Sequence, residues 1–258
     1  MVNNKIMRTL NGFILEHLEC PKLSISEHLE CPKRSILERL KLNKDTKLQK
    51  NDYVDLGLPS GILWAPSNIG ATCESTPESW YGDYFMWGDT TPATNKICNW
   101  ENYKYSNGEY NNLTKYCYDS YYWDGQGDPD YKLKLDLKDD IVNKKLGGKY
   151  RIPSKELLEE LINNTTSKWV TNYQKISNLN GRLFTSKKNG NTLFFPASGY
   201  RCDNYFKLVG SYFYICSSNL DSDFPHYAIS MYAYHNNAGV NYYNRYFGVC
   251  VRGVLDRT

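Results

Sequence analysis

The stretch Tyr227–Arg252 reads YAISMYAYHNNAGVNYYNRYFGVCVR and decides how the chain folds. Apolar Ile229, Met231 and Ala233 alternate with more polar residues, which is the period of a strand with one buried face. The segment His235–Gly239 carries turn residues, and a second strand is expected to follow it. We therefore expect an antiparallel hairpin in a fold built from short strands.

Tyr and Asn, rather than Lys and Glu, occupy most positions of this hairpin that are expected to be exposed. Tyr provides rigid amphipathic contact area and Asn provides adaptable hydrogen bonding, a mixture typical of recognition surfaces. The pattern predicts a ligand-binding patch, and packing of the tyrosines across the sheets is the alternative. The predicted patch consists of Tyr232, Tyr234, Asn236, Asn237, Asn241, Tyr242, Tyr243, Asn244 and Tyr246.

The composition excludes several classes of protein. In 258 residues, 41% are hydrophobic and 15% aromatic, which is enough to build a core. The net charge of +3 comes without a concentrated basic patch, so we expect no nucleic acid as partner. No apolar segment is long enough for a secretion signal or a membrane span. The eight cysteines form no CxxC motif and are expected to be free thiols in a reducing cytoplasm.

Residues 1–50 differ from the rest of the chain in their aromatic content. Phe13 is their one aromatic residue, whereas aromatic residues are dense from Tyr53 onward. This change predicts a boundary in the polar stretch Lys44–Asp52, between an N-terminal anchor (residues 1–50) and a binding domain (residues 51–258).

The N-terminal anchor contains a repeat of eleven residues. Ile14–Lys22 recurs as Ile25–Lys33, and a degenerate third copy begins at Ile36. Pro21 and Pro32 interrupt any continuous helix, so each unit is expected to form a short helical turn that is too small to be stable alone. We expect the units to dock on a partner or on sister chains through Ile14, Leu18, Ile25, Leu29, Ile36 and Leu40.

Two groups of side chains have the atom types of metal ligands. The first group is His17, Cys20, His28 and Cys31, and the second is Asp124, Asp128 and Asp130. The gap within the first group is short for a zinc finger, and the second group lacks an EF-hand pattern. A duplicated docking motif and an exposed turn are the preferred interpretations, and no metal or cofactor is expected.

Periodicity predicts two helices followed by strands. The first helix spans Asp136–Leu146, and the second begins near Ser154 and ends at Asn163–Asn164. Beyond Lys168 we expect short antiparallel strands, which places the chain in the α+β class. The predicted strands ahead of the hairpin are Gly181–Thr185, Thr192–Phe195 and Ser211–Cys216.

A series of ordered motifs runs through the region after the anchor. The motifs are Tyr53–Ala65 with Tyr81–Asp89, Tyr150–Ser154, Phe195–Arg201, Gly210–Tyr214 and Gly248–Arg252. In order and content they resemble the Fibrobacter succinogenes major paralogous domain, a family of gut Bacteroidales-type genomes and their phages. The resemblance implies a C-type-lectin-like fold, with two small antiparallel sheets, two helices and long loops that form a ligand surface.

Cysteines mark two departures from this family. Cys216 stands where the family usually has Trp, and Cys250 where Ser is common; both are expected to be buried. The same fold occurs in formylglycine-generating enzymes, which use a closely spaced cysteine pair. Here Cys202 and Cys216 are fourteen residues apart in an unrelated context, and no other catalytic motif is evident. The chain is therefore not expected to be an enzyme.

The sequence leads to a hypothesis about function. A recognition surface on a protein made in the cytoplasm fits a virion component, of the phage head-fibre or tail-fibre (decoration) type. Its anchor would dock on capsid or fibre-base proteins, and its C-terminal surface on a host glycan or surface protein, in a homo-oligomer with a trimer favoured. The alternatives are an exported bacterial cell-surface adhesin and a capsid spacer that binds no ligand.

Overall fold

The computed structural model describes residues 53–125 and 127–257. Within these ranges the chain has an α+β fold of small sheets and short helices, as predicted. No helix in these ranges has the length and apolar character needed to cross a membrane. The six docking residues of the anchor (Ile14, Leu18, Ile25, Leu29, Ile36 and Leu40) and the His17, Cys20, His28 and Cys31 group lie outside the described residues.

The secondary structure elements are short, and most of them lie in the second half of the chain. The strands are β1 (Val54–Asp55), β2 (Leu63–Trp64), β3 (Tyr84–Phe85), β4 (Tyr150–Arg151), β5 (Thr165–Val170), β6 (Gly181–Ser186), β7 (Thr192–Pro196), β8 (Tyr200–Cys202), β9 (Tyr205–Lys207), β10 (Phe213–Leu220), β11 (Tyr227–Ala233), β12 (Ala238–Asn244), β13 (Val249–Cys250) and β14 (Val254–Leu255). The α-helices are α1 (Glu78–Tyr81), α2 (Ile141–Leu146) and α3 (Lys155–Asn164). Single 3-10 turns occur at Trp100–Asn102, Ser120–Tyr122, Leu137–Asp139 and Tyr173–Lys175.

The strands form four sheets among the described residues. A five-stranded sheet has the order β12-β11-β10-β13-β3, and a four-stranded sheet has the order β1-β2-β14-β4. The other two sheets are β5-β6-β7 and the hairpin β8-β9. Because β14 pairs with both β2 and β4, the last strand of the chain closes the sheet begun by the first strands.

The predicted C-terminal hairpin is confirmed as β11 and β12, which pair antiparallel from Tyr227 with Asn244 to Ala233 with Ala238. Its sheet is buried on both sides along part of its length, and in this respect the prediction of one buried face is wrong. Ser230, expected on the open face, is only 1% exposed. It is covered because the five-stranded sheet lies between two separate core clusters.

Each side of the five-stranded sheet contributes to a different core cluster. Phe213, Ile215 and Met231 pack with α3 and the aromatic residues of β6 and β7. Cys216 and Tyr243 pack on the other side with residues of the long segment between β3 and α2, including Trp87, Tyr103 and Tyr116. Cys216 and Cys250 are both buried, as predicted.

Two buried arginines tie the irregular segments to this sheet. Arg245 donates to the hydroxyl of Tyr103 and to the backbone carbonyls of Lys115, Tyr116 and Pro225. A buried cation is tolerated only when its donors are satisfied, and carbonyl oxygens satisfy them here. The long segment after β3 is thereby held in place with little secondary structure of its own.

Arg252 likewise holds irregular segments in place through hydrogen bonds from its buried guanidinium. It donates to Asn68 Oδ1 and to the carbonyls of Ala65, Pro66 and Phe194. Burial lowers the pKa of this guanidinium to about 9, and the neighbouring Cys73 and Cys250 oppose that shift.

The predicted helices are confirmed in part. The second begins after Ser154 and ends at Asn164, as expected. The first is wrong over its N-terminal half, because the 3-10 turn Leu137–Asp139 precedes an extended Asp140. The Asp140 carboxylate accepts the backbone N–H groups of Val142, Asn143 and Ile152, so the helix can start only after it.

The predicted strands match β6, β7 and β10 in place, with small shifts at the ends. The strand Ser211–Cys216 begins two residues later and continues to Leu220. A strand that the sequence did not predict, β5, starts directly after α3 at Thr165, and it pairs with β6 over its whole length.

Candidate ligand-binding surface

A continuous row of aromatic rings crosses one end of the five-stranded sheet. The row runs through Tyr234, Tyr212, Tyr214, Tyr200, Phe247, Tyr246 and Trp100, and we call it the aromatic strip. Successive ring centroids lie 5.0, 6.4, 5.4, 4.8, 4.8 and 5.0 Å apart in that order. Every ring in the strip is half-buried, so each has one side on the protein and part of its surface in solvent.

The strip is held rigidly from beneath. Tyr200, Tyr214, Tyr246 and Phe247 pack on the core cluster that contains Trp87 and Tyr116. Rings that are fixed in this way lose little conformational freedom when a ligand covers them, which is why rigid aromatic side chains dominate many binding surfaces.

A cavity of about 250 Å³ opens beside the middle of the strip. It is lined by Tyr200, Tyr214, Tyr227, Tyr242, Tyr243, Asn244, Phe247 and Val249. The described residues that line it carry no charge. Its volume lies just below the range of about 300–1,000 Å³ typical of small-molecule sites, so it has room for one ring of a larger ligand.

Strand alternation explains how the tyrosines meet. Tyr212 and Tyr214 are two residues apart, and Tyr214 is paired across the sheet with Tyr232. Side chains at such positions point to the same face, so three phenol rings of neighbouring strands stand together. Tyr200 reaches the same face from β8 and meets Tyr214 edge to face.

Two phenols of the strip, those of Tyr214 and Tyr246, are protonated around neutral pH. Burial, followed by the nearby Tyr200, Tyr212 and Tyr232, raises the pKa of Tyr214 to about 12. Burial, followed by Cys202, raises the pKa of Tyr246 to about 12 as well. Each hydroxyl can therefore both donate and accept a hydrogen bond, whereas a phenolate could only accept.

The tip of the C-terminal hairpin extends the surface with amides. Asn236 and Asn237 are exposed, and Asn237 Nδ2 lies 3.4 Å from the Tyr232 hydroxyl. Arg182 fixes the turn, because its Nη1 donates to the backbone carbonyls of Tyr234 and His235. The tip is thus anchored by its backbone while its side chains face solvent.

The structure brings most of the predicted patch to the surface, in two groups. Tyr232, Tyr234, Asn236 and Asn237 lie at the hairpin tip, and Tyr242 and Asn244 lie at the cavity. Tyr242 is the most open of the predicted tyrosines at 53% exposure, and its ring packs 4.7 Å from that of Tyr227. Tyr246 belongs to the strip, and Asn241 is exposed with its Oδ1 accepting the Tyr242 N–H.

Tyr243 is the least accessible residue of the predicted patch, although it also lines the cavity. This residue is 5% exposed and packs in the core, where its hydroxyl donates to the sulfur of Cys216 at 3.5 Å. Adjacent residues of a strand point to opposite faces, so Tyr242 is open to solvent while most of the Tyr243 side chain is buried.

Six aromatic residues of the surface were not predicted as site residues: Tyr200, Tyr212, Tyr214, Tyr227, Phe247 and Trp100. A signal was present for Tyr212 and Tyr214, whose spacing of two is that of one strand face. Tyr200, Phe247 and Trp100 reach the strip through tertiary contacts between segments distant in sequence, so no local pattern could reveal them.

The carboxylates of the loop before Tyr131 have structural partners. Asp130 accepts the backbone N–H groups of Tyr116 and Cys117, and Asp124 accepts a hydrogen bond from Asn107. These contacts favour the predicted turn over a calcium site.

Comparisons of the chain with protein-family models, with curated proteins and with solved structures found no match.

Proposed function

We propose that residues 53–257 form a glycan-binding domain of the C-type-lectin-like kind, in a virion decoration protein of the head-fibre or tail-fibre type. The single observation that carries the binding proposal is the uncharged cavity at the aromatic strip. A sugar ring presents an apolar face and a rim of hydroxyls. Aromatic rings pack against the apolar face of the sugar, and phenols and amides form hydrogen bonds with its hydroxyls.

The absence of charge among the cavity's described lining residues favours a neutral sugar. A charged ligand would lose its hydration on entering the cavity and would gain no ion pair with the lining residues. The cavity holds one ring, and the strip continues on both sides of it toward Tyr234 and toward Trp100. The ligand that fits best is therefore an oligosaccharide, with one residue in the cavity and its neighbours along the strip.

Three features support the lectin-like assignment. The fold is α+β with small antiparallel sheets, and the first and last strands pair in one sheet. The motifs that resemble the family also contact one another, because Arg252 of the closing motif donates to the carbonyl of Ala65 in the opening motif. The ligand surface is assembled from the later motifs, which supply Tyr200, Tyr212 and Tyr214.

The virion assignment rests on the tandem docking units of residues 14–40 and on the phage distribution of the family it resembles. Repeated units suit attachment to an assembly with many equivalent sites, where several weak domains act together. Neighbouring capsid or portal genes would support this assignment, and neighbouring polysaccharide-utilisation genes would favour the bacterial cell-surface alternative.

A glycan array with the full-length chain tests the binding proposal. We expect binding to neutral oligosaccharides, and loss of that binding in a Tyr214→Ala variant that keeps its melting temperature. An array on which the folded chain binds no glycan would favour the structural spacer.

A further inference from the structure

A second cavity lies on the other side of the β8–β9 hairpin. It has a volume of about 460 Å³, and its lining includes Glu78, Asp83, Tyr84, Thr94, Arg201 and Phe206. Unlike the cavity at the aromatic strip, it contains charged side chains of both signs. Its partner is therefore a different kind of chemical group.

Arg201 is the unusual residue of this cavity. It is 6% exposed, yet its guanidinium makes a single hydrogen bond among the described residues, from Nη1 to the carbonyl of Ala93. Its Nε is buried without a hydrogen-bond partner in the described part of the chain. A buried donor that is left unpaired is costly, more so when it is charged.

The other fully buried arginines show how this protein normally satisfies such a group. Arg245 and Arg252 each donate four hydrogen bonds to oxygens of the protein. Arg201 is also buried but donates one such bond, and it differs from them in lining a cavity large enough for a small molecule. Its missing partners are therefore expected to come from a ligand.

No carboxylate of the described residues forms an ion pair with Arg201, although two lie in the same cavity wall. Asp83 is held instead by Lys145, at 3.9 Å. The face of Arg201 is covered by the ring of Phe206, whose centroid lies 5.1 Å from the guanidinium carbon. A guanidinium that lines a cavity and lacks protein partners fits an oxyanion, because its planar N–H groups match the geometry of a carboxylate.

The acidic side chains narrow the choice of ligand. Glu78 and Asp83 would repel a compact multiply charged anion, but they accept hydrogen bonds from hydroxyl groups. Phe206 is 58% exposed and offers an apolar face at the cavity edge. Carboxylate, hydroxyls and a partly apolar ring occur together in acidic sugars.

We propose that this cavity binds an acidic monosaccharide unit, a hexuronic or sialic acid, with its carboxylate on Arg201, its hydroxyls toward Glu78 and Asp83, and its ring against Phe206. This site is separate from the aromatic strip and stands whether or not the strip binds a neutral glycan. Uronic and sialic acids share the recognised chemistry, and the test distinguishes them.

Isothermal titration calorimetry of the full-length chain tests the proposal with glucuronic acid, N-acetylneuraminic acid, glucose and acetate as probes. We expect at least one acidic sugar to bind tenfold or more tightly than glucose and acetate. Whichever of glucuronic acid and N-acetylneuraminic acid binds more tightly shows whether the cavity recognises a uronic or a sialic acid. Equal binding of glucuronic acid and glucose, or of glucuronic acid and acetate, with no preference for N-acetylneuraminic acid, would overturn the assignment.

Variants locate the site. Arg201→Gln should reduce affinity for the acidic sugar at least tenfold. Arg201→Lys should reduce it less, because lysine keeps the positive charge although it lacks the planar guanidinium. If Arg201→Gln does not fold, Phe206→Ala tests the location of the site instead. The exposed ring of Phe206 can be removed without opening the core. It should weaken binding severalfold.

Tyr205→Ala is the matched control, because Tyr205 precedes Phe206 on β9 and is 66% exposed but does not line the cavity. It should leave the affinity unchanged, as should Tyr214→Ala at the aromatic strip. Undiminished affinity in a folded Arg201→Gln or in Phe206→Ala would contradict the proposal. Loss of acidic-sugar binding in Tyr214→Ala would also contradict it, because the acidic sugar would then bind at the aromatic strip.

Discussion

Tyr200 and Arg201 are adjacent in β8 and line two different cavities. The phenol of Tyr200 lies in the uncharged cavity at the aromatic strip, and the guanidinium of Arg201 lies in the charged cavity. This arrangement follows from strand geometry, because successive side chains point to opposite faces. A two-stranded hairpin therefore lies between two cavities whose lining residues differ in charge.

The position of this hairpin depends on Gly199, which has φ +59°. A Cβ atom there would lie 2.0 Å from the carbonyl oxygen of Lys207, which is backbone and cannot rotate away. We expect Gly199→Ala to lower the free energy of unfolding by more than about 1 kcal/mol and to weaken binding at both cavities. Gly190→Ala is the control in urea denaturation, because Gly190 also has positive φ but open space around it. Equal losses in the two variants would show that the close contact at Gly199 has no effect.

Tyr242 should contribute to ligand binding and little to stability. Its ring is 53% exposed and lines the uncharged cavity. Tyr242→Ala should weaken binding of an array-selected neutral glycan by about tenfold, since an aromatic contact contributes about 1 kcal/mol beyond the buried area. The melting temperature should change little. Tyr131→Ala, at a tyrosine 63% exposed and outside that cavity, should leave affinity unchanged; a similar loss there would mean that the effect is nonspecific.

Asp139 should make the fold sensitive to acid. Although burial alone would raise the pKa of this carboxyl, hydrogen bonds from Lys115, Tyr105, Tyr116 and Lys104 lower it well below its ordinary value. Because the folded-state pKa is below the unfolded value of about 3.9, its stabilisation is complete above that pH. The stabilisation is lost as pH falls through the folded-state pKa.

Urea denaturation from pH 7 to pH 2 measures this contribution. Asp139→Asn should be less stable at pH 7 by about 2 kcal/mol and should lose less stability on acidification than the unsubstituted chain. Asp223→Asn, at an exposed aspartate, should retain the original acid dependence. Parallel curves for the unsubstituted chain and Asp139→Asn would rule out the proposed role.

The buried thiols should resist alkylation until the protein unfolds. Burial raises the pKa of both Cys216 and Cys250 to about 12, so very little thiolate forms at pH 8. Cys73 and Cys202 are only half-buried, so both should react with iodoacetamide before Cys216 and Cys250 do. Mass-spectrometric mapping of native and urea-treated protein gives the rates. Fast labelling of Cys250 in the native protein would show that its site opens to solvent.

The anchor should be needed for assembly and dispensable for folding. Deletion of residues 1–50 is expected to abolish incorporation into virions, because the proposed docking units at 14–40 are removed. The remaining chain should stay folded and monodisperse by circular dichroism and size-exclusion chromatography. Normal incorporation of the truncated chain would place the attachment site elsewhere.

Local patterns were sufficient for the elements whose signals lie close together in sequence. The alternation at Ile229, Met231 and Ala233 predicted β11, and Ser154 with Asn164 bounded α3. The start of α2 could not be predicted from such local patterns. Its position is set by Asp140, whose carboxylate also accepts the N–H of Ile152, a contact across the fold.

The sequence by itself determined the α+β class, the C-terminal hairpin and the concentration of tyrosine and asparagine near its tip, since these follow from period-two alternation and turn chemistry within short windows. Only the tertiary structure decided which tyrosines face solvent. Tyr242 and Tyr243 are neighbours with identical side chains, yet Tyr242 is 53% exposed and Tyr243 only 5%, because a sheet packed on both faces leaves open only the positions that no other segment covers. The same packing decided that Arg201, unlike Arg245 and Arg252, lacks enough protein oxygens to satisfy it.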